Sequence, residues 1–191
     1  QGSRPRTRIM PILDIVKYGN PVLNKKCNSV SQFSDIELVL ESMFDSMYEA
    51  EGIGLAANQV GLNMNLFIID VTHTDEAEDS HIFINSKILS SSGEKSFFQE
   101  GCLSLPGIAL DVERPEKIVL KYQSIDQEWH EDEFGGLLSR AIQHEMDHLN
   151  GIFIIDRVSE IEKIKYKNEL KKLASDSKHS QKNKNKENFV L

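Results

Sequence analysis

At 191 residues, 39% hydrophobic and 27% charged, the chain is long enough for one domain to bury a core without covalent staples. Two cysteines cannot build a disulfide framework and point to a reducing compartment; no run of eighteen apolar residues offers a membrane span. A net charge of −8 excludes a general nucleic-acid binder, which would need a basic surface for phosphates.

The first nine residues read as a segment added ahead of a natural start at Met10, with a trimmed, arginine-bearing organelle-targeting arm as the alternative. Asp35 to Ala50 is predicted to be a helix. Ile36, Val39, Leu40, Met43, Phe44 and Met47 fall on one stripe, Ser34–Glu37 fits a capping box, and Gly52 supplies a stop. Strands are expected at 66–71, 82–85, 95–99, 117–122 and 127–131, each short and bounded by turn formers. A second helix runs over 137–149 and closes at Gly151, 152–155 is apolar and extended, and a charged helix covers 161–173. Residues 10–174 then form a single catalytic domain of α+β type, ahead of a Lys- and Asn-rich tail, 175–191, expected to lack structure. Between Lys163 and Glu187, nine lysines face three acids, so the rest of the chain carries the remaining −14.

The informative segment is Gln143-His144-Glu145-Met146-Asp147-His148. On a helix, positions 144 and 148 lie about 40° apart and one turn along, so both imidazoles reach one ion. Glu145 flanks them within reach of a water on that ion, the physical content of an H-E-x-x-H motif. Alone this is a moderate signal. The apolar flank of Leu137, Leu138, Ala141, Ile142 and Leu149 strengthens it, because buried polar groups need partners and a cation serves all three.

A catalytic site commonly adds a third protein ligand and leaves one position open. Cys102, His73, His81 and His130 are candidates. Cys102 is favoured, following Phe97-Phe98 and sitting beside Gly101, which would let backbone approach closely. Asp156, Glu160 and Glu162 downstream keep an ordinary zinc endopeptidase in view by spacing alone; Cys102 in its glycine-bearing block speaks against it. A non-catalytic, ribosome-associated metal module is the other rival. Glu145 beside the ligands speaks against that, since a closed structural site needs no base.

Three blocks resemble the peptide deformylase family: Gly52-Ile53-Gly54-Leu55-Ala56-Ala57-Asn58-Gln59, Glu100-Gly101-Cys102-Leu103-Ser104, and Gln143 to His148. They stand intact in family order, with similarity running from Ile12 to about Leu173. The resemblance implies antiparallel sheets around a central helix carrying both histidines, with a C-terminal helix. It implies Cys102, His144 and His148 as ligands of one divalent ion, Fe(II) natively, with Zn, Ni or Co as substitutes. Glu145 becomes the general acid/base, and the Gln59 side chain and Leu103 N–H become oxyanion donors. The substrate would be a formyl-methionyl nascent peptide, seated against Ile53, Gly54, Leu137 and Ala141.

Glu100 and Arg114 are expected behind the ligands, and Gln143 and Asp147, pointing away from the ligand face, either back the ligands or support the fold. Arg140 stands where a methionine pocket would want apolar walls. It either packs its stem and reaches water, or narrows the pocket. After Pro106 the chain reads Gly107-Ile108-Ala109-Leu110, where many relatives carry an arginine. A cytoplasmic, bacterial setting is expected, an organelle being the alternative, with no membrane contact and a weak ribosome contact through the lysine-rich segment.

Overall fold

The protein, described by a computed structural model, is defined for residues 12–187, with backbone alone for 183–187. The reading of the first nine residues and of Met10 lies outside that range. Helix α1 spans Ile36–Glu49, followed by strands β1 (Gly54–Ala56), β2 (Leu66–Ile69), β3 (His81–Gly101), β4 (Ala109–Gln123) and β5 (Trp129–Phe134). Helices α2 (Gly136–Leu149), α3 (Glu160–Lys165) and α4 (Lys167–Glu187) complete the α+β architecture. The five strands make one sheet in chain order, every neighbouring pair antiparallel. No helix among the described residues is long and apolar enough to cross a membrane.

Strand β2 shows why the sheet lies between two helices. All four of its residues are buried. Because side chains alternate along a strand, Phe67 and Ile69 face Ala141, Ile142 and Met146 of α2, while Leu66 and Ile68 join Met43 and Met47 of α1. A third cluster joins Leu105, Leu110 and Val112 to Phe153, Ile154 and Leu170.

Several expectations are corrected. The strands expected at 82–85 and 95–99 are one strand, β3, paired with β4 through register shifts between Ile84 and Lys95. Its Ser-rich middle is exposed, so burial periodicity is silent there. Asp35 forms no side-chain cap; Ile36 N–H instead donates to Phe33 O at 3.2 Å. Gly52 does take the closing bond of α1, donating to Met47 O at 2.9 Å, but Glu51, with φ 57°, makes the left-handed turn. Gly52 is needed for space: a Cβ there would meet Leu103 Cδ1 at 2.8 Å. The segment 154–157 is a 3-10 turn rather than extended, held by Phe153 N–H on the Asp156 carboxylate.

The expected unstructured tail is helical through Glu187. Leu170 and Ser177 are buried, and α4 packs so tightly on the N-terminal segment that a Cβ at Gly19 would meet Ala174 Cα at 2.5 Å. Tertiary contact thus extends helix into a segment whose composition alone disfavours it.

Helix α2 is pinned at both ends. Its N-cap is Gly135, without a side-chain cap, and Glu76 of the β2–β3 loop accepts Leu138 N–H at 3.0 Å instead. At the far end, Asn58 Nδ2 donates to His148 O and Cys27 N–H donates to Leu149 O at 2.8 Å. Cys27, featureless in sequence, is therefore a core residue against this helix.

Candidate active site

Cys102 leaves the end of β3 in a tight turn, Leu105 N–H closing on Cys102 O at 3.0 Å. That turn sets the thiol against the buried face of α2, where Cys102 Sγ lies 3.2 Å from His148 Nε2. The ligand atoms of Cys102, His144 and His148 all fall within 4.8 Å of one another, the sole such group among the described residues. His73, His81, His130, Asp156, Glu160 and Glu162 contribute nothing to it. Burial pushes the Cys102 thiol up, but the charge of His148 and hydrogen bonds from His144 and His148 hold it well below the usual range. A thiolate and two imidazoles are the donors a divalent transition metal takes, and each is available here. Such an ion would take one ligand atom from each of the three residues.

Behind the ligands lies a charged network. His144 Nδ1 sits 3.0 Å from Glu100 Oε2, which frees Nε2 for an ion and fixes the ring. Arg114 grips Glu100 with Nε at 2.7 Å and Nη2 at 2.9 Å, and reaches Asp147 Oδ2 with Nη1 at 2.9 Å. Arg157 also binds Asp147. Burial pushes the Glu100 carboxyl up, yet hydrogen bonds from His144 and Arg114 bring it down to about 2. Arg114 therefore ties the residue two before Cys102 to the residue before His148. Gln143 Nε2 donates to Pro115 O at 3.0 Å, supporting α2 from outside the cluster.

The cluster opens into a cavity of about 630 Å³ lined by Ile53, Gly54, Leu137, Ala141, His144 and Glu145. Gln59 borders it. Its Oε1 accepts Ala56 N–H at 2.9 Å, which turns Nε2 toward Ser104 Oγ at 3.1 Å and Cys102 Sγ at 3.8 Å. Leu103 N–H finds no acceptor among the described residues. Glu145 is buried with Oε2 unpartnered among the described residues, and burial raises its carboxyl, an effect the His144 and His148 charges oppose.

Gly54 is small because Glu145 packs on it: a Cβ would lie 2.6 Å from Glu145 Oε1. Gly54→Ala should therefore displace the carboxylate and lower kcat more than KM, measured by steady-state kinetics. Gly101 has nothing within 4 Å of such a Cβ, so the close approach expected there occurs at Gly54 and Gly52 instead.

Arg140 lines the cavity but does not send its head to water. It donates to Glu100 Oε1 at 3.0 Å, Val112 O at 2.9 Å and Ser96 O at 2.8 Å, and lies 5.4 Å over the Phe98 ring. Phe97 and Phe98, expected to be apolar context for Cys102, are 69% and 55% exposed, and only Phe98 lines the cavity. Val112 O and Ser96, Arg140's partners on β4 and β3, carried no sequence signal, since the hairpin alone brings them to α2.

A family description of polypeptide deformylases matches residues 12–164. The chain belongs to the polypeptide deformylase family. It is a hydrolase that removes the formyl group from the N-terminus of polypeptides. A peptide deformylase of Acidobacterium capsulatum is 42% identical over 155 residues, covering 81% of this chain and 91% of its own. The crystal structure from Plasmodium falciparum superposes with a TM-score of 0.81 at 39% identity, over 87% of this chain and 98% of that one. The Synechococcus elongatus deformylase, solved in complex with actinonin, gives 0.75 at 40% identity, over 88% and 89%. The zinc endopeptidase and the non-catalytic module are both set aside by these matches.

Proposed function

We propose that Cys102, His144 and His148 hold one divalent ion, and that Glu145, Gln59 and Leu103 act around it on the formyl amide of a formyl-methionyl polypeptide. The observation that carries this reading is the grouping of those three ligand atoms within 4.8 Å, beside a buried glutamate oxygen without a partner among the described residues. When bound, the ion lowers the pKa of a coordinated water toward neutrality and polarises the carbonyl.

Glu145 takes the proton of the attacking water as its oxygen bonds to the formyl carbon. The Gln59 amide and Leu103 N–H receive the developing oxyanion, each such donor contributing roughly 2.7–4 kcal/mol to lowering the barrier. Glu145 then passes the proton to the amine nitrogen, which cannot leave as an anion, and the C–N bond breaks. Formate and a free N-terminal methionine result. Ile53, Gly54, Leu137 and Ala141 would seat the methionine side chain, with Arg140 as a polar border. Formate release from a formyl-Met peptide under anaerobic conditions tests the activity, and absence of release would refute it.

The donor set can take Fe(II), Co, Ni or Zn, with affinity rising from Fe(II) through Co to Ni. Fe(II) is proposed as the native ion from the family resemblance, and metal analysis after anaerobic purification decides it. The substrate emerges from ribosomes, and Lys182, Lys184 and Lys186 of the lysine-rich segment follow Ser180 in α4. A weak ribosome contact in a bacterial cytoplasm, or alternatively in an organelle, follows as a proposal. The test is truncation after Ser180, which spares the buried Leu170 and Ser177. Activity on a short peptide should persist while salt-sensitive co-sedimentation with ribosomes falls; unchanged co-sedimentation discards the contact.

A further inference from the structure

Residues 16–18 cross behind the site as a strap between two of the sequence blocks. Val16 N–H donates to Gln59 O at 2.7 Å, Ser104 Oγ donates to Val16 O at 2.7 Å, and Tyr18 N–H donates to Ser104 O at 2.9 Å. Ser104 Oγ is also the acceptor for Gln59 Nε2. These bonds fix Gln59 and Ser104 but leave Leu103 between them to another group. That group is Lys17, half-buried, whose Nζ donates to Leu103 O at 3.0 Å. Burial lowers the Lys17 ammonium from its usual range, and the charge of Cys102 opposes that.

We propose that Lys17 is a positioning residue: by holding the Leu103 carbonyl it fixes the 102–105 turn so that Leu103 N–H faces the formyl oxygen. The inference rests on the role assigned to Leu103 above. A peptide N–H is useful to an oxyanion only if its plane cannot rotate, and preorganised donors act without reorganising during reaction. The plane of Leu103 N–H includes Cys102 O, which Leu105 N–H holds at 3.0 Å, whereas the next plane of the turn, carrying Leu103 O, takes no backbone N–H among the described residues and can swing Leu103 out of place. An ammonium on the neighbouring carbonyl supplies the restraint, and charge-assisted hydrogen bonds are the strong kind. The strap is itself held from outside, Ser177 Oγ of α4 donating to Lys17 O at 3.4 Å.

Lys17→Met keeps the stem and removes the charge. Its kcat on a formyl-Met peptide should fall about tenfold, the effect of losing one charged hydrogen bond, with KM, metal content and thermal midpoint unchanged. Lys17→Arg should restore most of the loss. An unchanged kcat overturns the proposal, as does a loss matched by lower metal content or midpoint, or one that arginine fails to rescue. If Lys17→Met does not fold, Lys17→Gln is read against the same criteria. A parent chain that releases no formate refutes the functional reading itself. A parent that does, alongside a fully active Lys17→Met, refutes only the role of Lys17.

Discussion

Glu145→Gln should cut formate release by about 10²–10⁴-fold while the protein keeps its metal, because general acid/base groups contribute on that order. The substitution preserves shape where Glu145 packs against Gly54, so stability should be unaffected. Glu145 is not among the three clustered ligands, and Cys102, His144 and His148 retain their geometry. Glutamine can neither accept the proton of the attacking water nor deliver one to the departing amine. Metal content measured on the same sample separates this result from simple loss of the ion. Retained turnover would show that another group moves the proton.

Arg114→Met should destabilise the fold by about 3–5 kcal/mol, the cost of stranding buried charges after removing their partner. Glu100 would keep only Arg140 and His144, and Asp147 only Arg157. Both carboxylates sit next to ligand-bearing stretches, so metal affinity should fall as well. Denaturant unfolding and metal retention under a chelator measure the two effects. A shift below about 1 kcal/mol would mean that water or rearrangement satisfies the carboxylates, contrary to a network this enclosed.

Much of the site was legible because its information is local. His144, Glu145 and His148 lie within one helical turn, and their chemistry depends on that spacing alone. Cys102 needed both its context and the family resemblance, since its distance to His148 is created by the turn after β3. The network of Glu100, Arg114 and Asp147 was visible only as candidates, because its partners are brought together across strands and helix. Glu76 and Lys17 gave no signal at all. Each acts on a backbone group far along the chain, and no periodicity marks such a bond. The tail was misread for the same reason: its helix depends on Leu170 and Ser177 meeting the rest of the fold. Composition describes a segment in water and is silent about what lies against it.

The two anchors of α2, Glu76 at one end and Asn58 with Cys27 at the other, act as a lock against rolling. A roll of only about 10–20° would swing both imidazoles beyond the tolerance of a working site. The ion proposed for this site would therefore meet rings already aimed, and little ordering would accompany its capture. Loading would then be an encounter with a finished socket instead of a folding step, so a chain stripped of metal should keep its shape and wait.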